Sequence, residues 1–173
     1  RGLYLVICNI LGEVVYEIKL KHKSDNYDDT VENVAKYIEE SLSATKIPFS
    51  KVLGLGAGVP RFIDREEGNI KTGFWTDWEY KKLEKDLQTR IGLNTCVDNN
   101  ASVRALAEGL FERTIPDSFA YLFVSRGIAC PVMIKSHIIS REITGAGEIG
   151  HMVVDINGSK CERCGDYGCL DTF

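Results

Sequence analysis

Gly147-Glu148-Ile149-Gly150-His151 is followed, ten positions after the histidine, by Cys161-Glu162-Arg163-Cys164-Gly165-Asp166-Tyr167-Gly168-Cys169. One histidine and three cysteines form a tetrahedral set of soft and borderline ligands, the kind that zinc takes in closed structural sites. Gly165 and Gly168 let the backbone turn sharply, so sulfurs close in sequence can converge on one point. Glu148 lies three residues before His151. Folding the imidazole of His151 onto a metal therefore fixes a carboxylate nearby. The stretch reads as a metal-pinned loop that aims polar side chains at a ligand. The alternative is a disulfide, or thiols unrelated to each other. Six cysteines in 173 residues is modest, and the chain is no small secreted scaffold, so cysteine spacing favours zinc. Cys8, Cys96 and Cys130 lie inside apolar runs and read as buried small hydrophobes.

Outward from that loop, length and a hydrophobic content of 44% provide a core for one large domain, or one and a fraction. The net charge is −4 and no basic stripe appears, which makes this segment a poor candidate for binding nucleic acid itself. No apolar run approaches the ~20 residues needed to cross a membrane, and no signal peptide is recognisable. Unpaired thiols beside a zinc pattern favour a reducing cytosol. The chain opens on Arg1-Gly2 without an initiator methionine and stops four residues past Cys169, so a fragment is expected.

The remaining sequence predicts a mixed α/β chain. Residues 2–8 and 13–20 read as a hairpin around Asn9–Gly12. Asp28, Asp29 or Thr30 is expected to cap a helix with Val31, Val34, Ala35, Ile38 and Leu42 on one face. Lys51–Pro60 reads as a strand running into a glycine-rich loop, where Gly54, Gly56 and Gly58 admit a ligand or another backbone. No lysine and hydroxyl follow, so it is not a phosphate loop of the Gly-x-x-x-x-Gly-Lys-Ser/Thr type. Thr76-Asp77-Trp78-Glu79 resembles a capping box, opening a helix to about Ile91 with Leu83, Leu87 and Ile91 inside. Trp78 reads as a packing residue. A strand at 94–97 leads to Asp98-Asn99-Asn100, which caps the helix Ala101–Arg113 with Leu106, Leu110 and Phe111 inside. Such a strand-to-helix switch is a usual place for ligand contacts; plain capping is the alternative. Ile115-Pro116-Asp117 reads as a hinge between a first α/β lobe, 1–116, and the start of a second, 117–173. Phe119–Val124 is a predicted strand, Ser125–Ala129 a turn, and 130–135 with 137–141 a second hairpin with His137 at the surface. Helices backing a mostly parallel sheet are expected.

With these residues in hand, the chain resembles the ROK family of repressors, open reading frames and sugar kinases. The resemblance rests on Gly-x-Gly-Ala-Gly-x-Pro at 54–60, on the helix from Trp78 to Leu93, and on Val97-Asp98-Asn99-Asn100-Ala101 with Ala107-Glu108. It rests above all on Gly147–His151 and the cysteine cluster. It implies an actin-like, ribonuclease H-like ATPase/sugar-kinase fold, with the first lobe and part of the second present. Family members are sugar kinases, or sugar-responsive transcription regulators with a winged helix-turn-helix ahead of the sugar domain. Carried over, Asn99, Glu148 and His151 would hydrogen-bond sugar hydroxyls, with Asn100 in the same segment. His151, Cys161, Cys164 and Cys169 would hold zinc, the second ring nitrogen of His151 facing the sugar. Asp171, which the resemblance also assigns to the sugar site, stands where the family usually has glutamate after Gly-Cys-Leu, with a shorter reach. The resemblance further implies a homo-oligomer.

Two departures bear on activity. The kinases place Asp where this chain has Asn100, and a carboxamide cannot take a proton from a sugar hydroxyl at neutral pH, which forfeits ~10²–10⁴-fold general-base help. The phosphate turn Gly-Thr-Gly-Ile-Gly-x-Gly reads here Ser125-Arg126-Gly127-Ile128-Ala129-Cys130-Pro131, where Pro131 removes an amide donor. A spacing of two residues rather than one between Cys161 and Cys164 is a smaller departure. The pattern points to a sugar sensor that does not phosphorylate its ligand and reaches DNA only through a domain outside this chain. An ATP-dependent sugar kinase is the rival reading.

Overall fold

Alternating apolar residues make Leu3–Cys8 (β1) and Val14–Leu20 (β2) an antiparallel pair. Asn9 closes the turn by accepting the amides of Leu11 and Glu13 on its side chain. In this computed structural model the described residues are 3–20, 26–60, 62–71, 77–112, 114–125, 127–139 and 146–173. Thr76 of the expected capping box, Arg113 at the expected helix end, Arg126 of the turn and the end of the predicted second hairpin lie outside them. By contacts the chain divides into Arg1–Leu55 with Leu83–Cys96, and Gly56–Lys82 with Val97–Phe173. The predicted hinge at Ile115–Asp117 falls inside the second of these units.

The first unit is the β1–β2 hairpin and two helices. α1 (Tyr27–Thr45) starts earlier than the sequence predicts. Asn26 caps it, accepting the amide of Asp29, while Asp28 and Asp29 sit in the first turn, where the helix dipole favours negative charge. The expected apolar face is buried at Val31, Ala35, Ile38 and Leu42. α2 (Leu83–Ile91) buries Leu83 and Leu87. It begins at Leu83, so Trp78 lies in the turn before it. Tyr27 is 3% exposed and joins the two helices by donating its hydroxyl to Asp86 at 2.6 Å. Gly54 is needed for a close approach of backbone, since a Cβ there would meet the Asn94 carbonyl at 2.7 Å.

The second unit contains a hairpin that sequence reading passed over. β4 (Phe62–Asp64) and β5 (Asn69–Lys71) are antiparallel, and Asp64 holds their turn by accepting the amides of Glu66 and Glu67. β3 (Leu55–Val59) pairs with β6 (Thr95–Asn99), and β6 runs directly into α3 (Asn100–Phe111). The inner face of α3 is small: Ala101, Ser102 and Ala105 are buried. Leu110 and Phe111, expected inside, are 75% and 63% exposed; the buried residues of α3 lie in its first half, at 101, 102 and 105. Leu106 does pack, with Phe119 and Tyr121, against the core of Ala105, Met133 and Ile138.

The predicted strand 119–124 is split into β7 (Phe119–Ala120) and β8 (Phe123–Val124), which take different partners. β8 pairs with β9 (Ile128–Ala129), while β7 and β11 (His137–Ile138) flank β10 (Val132–Ile134). Lys135 and Ser136, both at positive φ, make the two-residue turn of that hairpin. His137 is exposed, as expected. The sheets β1–β2, β4–β5, β8–β9 and β7–β10–β11 are antiparallel, in contrast to the expected mostly parallel arrangement. Cys8 and Cys96 are exposed and Cys130 is half-buried; for Cys8 in β1 and Cys96 in β6, alternation along a strand overrides the surrounding apolar run. No described helix is long and apolar enough to cross a membrane.

Candidate metal centre and ligand-facing residues

The Gly147–His151 and Cys161–Cys169 stretches meet in the second unit. A short 3-10 turn, Ile149–His151, presents the His151 ring, and the chain then loops back through Val153 and Lys160, which bridge to Cys169 and Tyr167. The loop closes on itself through Cys161 N–H to the Asp166 carbonyl at 2.7 Å and Gly168 N–H to the Ser159 carbonyl at 2.9 Å. Gly168 must be glycine: its φ is +70° and a Cβ would overlap the Asp155 carbonyl. The ligand atoms of His151, Cys161, Cys164 and Cys169 all lie within 4.8 Å of one another. Nδ1 of His151 is 3.7 Å from the Cys161 sulfur, and the sulfurs of Cys164 and Cys169 are 3.5 Å apart. That separation is far beyond the ~2.05 Å of a disulfide. The group can hold a metal ion.

The local electrostatics suit thiolate ligation. Burial opposes charge on Cys161, but the backbone amides of Cys164 and Arg163 and the neighbouring thiols outweigh it, and its pKa is lowered. Burial, with hydrogen bonds to the other two thiols, pushes Cys169 up to about 12. A cation bound among them would favour the thiolate form at every cysteine corner.

Glu148 is half-buried just ahead of His151. Burial raises its pKa, the nearby Asp171 carboxylate adds to the rise, and Arg163 offsets part of it. Asp171, expected to face a sugar, directs both oxygens at the chain. Oδ1 accepts the Ile128 amide at 2.8 Å and Oδ2 accepts Nη1 of Arg163 at 3.2 Å. Sequence reading missed this use of Arg163, whose only signal is its place in the extra residue between Cys161 and Cys164.

Asn99 and Asn100 stand on another element of the same unit, the head of α3. Asn99 is the N-cap, its Oδ1 accepting the amides of Ala101 and Ser102, so any hydrogen bond it donates to a ligand comes from its NH2 group. Asn100 opens the helix, half-buried. Asp98 points into the chain: it is 6% exposed, accepts the Asn99 amide at 2.8 Å, and is ion-paired with Arg65 at 2.9 Å. Arg65 sits in the β4–β5 turn, which sequence reading did not resolve.

Comparison with known proteins places this arrangement. Over 173 residues the chain is 30% identical to a putative xylose repressor of Caldicellulosiruptor sp. (strain Rt8B.4), covering 99% of this chain and 43% of that protein. It is 28% identical over 164 residues to a glucokinase of Halalkalibacterium halodurans, covering 93% of this chain and 49% of that enzyme. The crystal structure of a ROK family transcriptional regulator, a homologue of the E. coli MLC protein, superposes with a TM-score of 0.83 at 24% identity over 99% of this chain and 43% of that one. The chain therefore spans less than half the length of these relatives. The fold is the actin-like α/β fold shared by ROK repressors and sugar kinases. The model of the ROK family matches residues 4–173, and the chain belongs to that family.

Proposed function

We propose that the chain is the sugar-binding effector part of a ROK-type transcriptional regulator, taking a monosaccharide or a derivative without phosphorylating it. His151, Cys161, Cys164 and Cys169 hold a structural zinc ion. With Zn–S near ~2.3 Å and Zn–N near ~2.0–2.1 Å, a tetrahedron has S···S edges of about 3.8 Å and S···N edges of about 3.5 Å; the separations of 3.5 and 3.7 Å fit it. Zinc would supply the charge that holds the thiolates. With Nδ1 facing the sulfurs, the His151 ring keeps its Nε2–H as a donor. Asn99, Asn100, Glu148 and His151 hydrogen-bond sugar hydroxyls, which would be left unpaired on burial by a wrong ligand, and Asp171 backs them. The sugar lies between lobes comprising 1–116 and 117–173, and its closure is read by a DNA-binding domain outside this chain. The protein is cytoplasmic and homo-oligomeric.

The observation that carries this reading is the head of α3. Position 100 is an amide, and the adjacent carboxylate, Asp98, is buried and neutralised by Arg65, so neither serves as a base toward a sugar hydroxyl. The names of the similar repressors make xylose the first ligand to test. Calorimetric titration of the intact protein with xylose, glucose and other pentoses and hexoses is expected to show saturable binding to one of them, with no ADP formed from magnesium-ATP. The similarity to glucokinases keeps the kinase reading as the rival. Turnover of ~1 s⁻¹ or faster would establish it, and absence of binding to every sugar would remove the sensor.

A further inference from the structure

We infer that Asp171, with Arg163, is a positioning junction that ties the metal loop to the Gly127–Ala129 segment and occupies the Ile128 amide with the chain's own carboxylate. Three segments meet at this one group. The Ile128 amide donates to Oδ1. The Arg163 guanidinium, two residues past the Cys161 corner, bonds Oδ2 and lies against Gly127, where a Cβ would overlap it. Gly150, between Glu148 and the metal ligand His151, packs so closely that a Cβ there would overlap Oδ1. The Asp171 side chain is 5% exposed. Amides at a turn bind phosphates because nothing else accepts them. Here the Ile128 amide already faces a carboxylate whose charge Arg163 balances. A phosphate would have to displace an ion pair already in place. The turn instead becomes a rigid relay: ordering the metal loop seats Arg163, which seats Asp171, which holds Ile128 and braces the segment carrying Glu148.

The metal half of this inference rests on the proposed zinc site; the carboxylate half does not. Amide hydrogen exchange on the full-length protein, with metal content measured on the same samples, separates the two. Asp171→Ala is expected to speed exchange of peptides covering 127–129 at least tenfold, and Arg163→Gln, at a half-exposed position that threatens folding less, severalfold. Removing the metal should open the same peptides in the wild type but add less than twofold in Asp171→Ala. Unchanged exchange at 127–129 in Arg163→Gln would overturn the junction. So would metal removal opening the turn equally in wild type and Asp171→Ala, or protection of the wild-type turn by added pyrophosphate. A wild-type protein without metal would refute the zinc reading alone, since the variants still report on the carboxylate.

Discussion

Stripping the proposed zinc from the full-length protein is expected to melt residues 152–169 and leave α1 and α2 intact. The size of the effect follows from what the loop lacks. Of its residues only Cys161, Gly168 and Cys169 are buried, and Met152, Val153, Val154, Ile156 and Tyr167 are each more than half exposed. Seven backbone hydrogen bonds hold the loop to itself and to Leu170; at about 1 kcal/mol net apiece they contribute roughly 7 kcal/mol. Ordering eighteen residues costs at least about 1 kcal/mol each, or roughly 18 kcal/mol. The shortfall of about 11 kcal/mol lies within the ~10–16 kcal/mol that structural zinc contributes in small domains. The assay is thiol-directed metal release, quantified by a colorimetric zinc indicator, followed by hydrogen exchange. Peptides from 152–169 should lose protection almost completely, while those from α1 and α2 keep theirs. A metal-free protein whose loop stays protected would refute the claim that ligation, rather than packing, orders it.

Other perturbations follow from single contacts. The pKa of Glu148 is raised above the ordinary 4.5, so its contribution to stability is present below that value and lost as pH climbs through the raised one. Glu148→Gln should therefore gain in melting temperature over the wild type as pH rises above the ordinary 4.5, and a difference that stays constant with pH would contradict the burial argument. Arg65→Met leaves Asp98 charged and buried, at a cost of roughly 3 kcal/mol; urea unfolding showing under ~1 kcal/mol would mean the pair is dispensable. Tyr27→Phe removes the hydroxyl that Asp86 accepts and should cost about 1–2 kcal/mol by the same measurement, with ligand affinity unchanged.

What could be read from sequence was set by distance along the chain. The metal ligands sit within nineteen residues, and glycines at 165 and 168 leave the loop few ways to close, so spacing alone brought four side chains together. The Asn99 cap was legible for the same reason, since its partners are the next two or three amides. The face of α1 followed from periodicity because one side of that helix meets water. α3 defeated the same reasoning: Leu110 and Phe111 are large, but the stripe that packs is built of small residues, so size misdirected the choice of face. The contact between Asp171 and Ile128 escaped notice because the two lie 43 residues apart, and no local pattern marks a carboxylate that will accept a distant amide.

The proposed sensor reading gains from two long-range contacts. Asp98 is held by Arg65, and the Ile128 amide is held by Asp171. Both of these carboxylates are bound to an arginine of another segment. Such pairs favour one arrangement of the segments over others, because breaking either removes the ion partner of a buried carboxylate. A chain that responds to ligand by shape alone gains from that fixity. A chain that must exchange nucleotides at every turnover would have to open it each time.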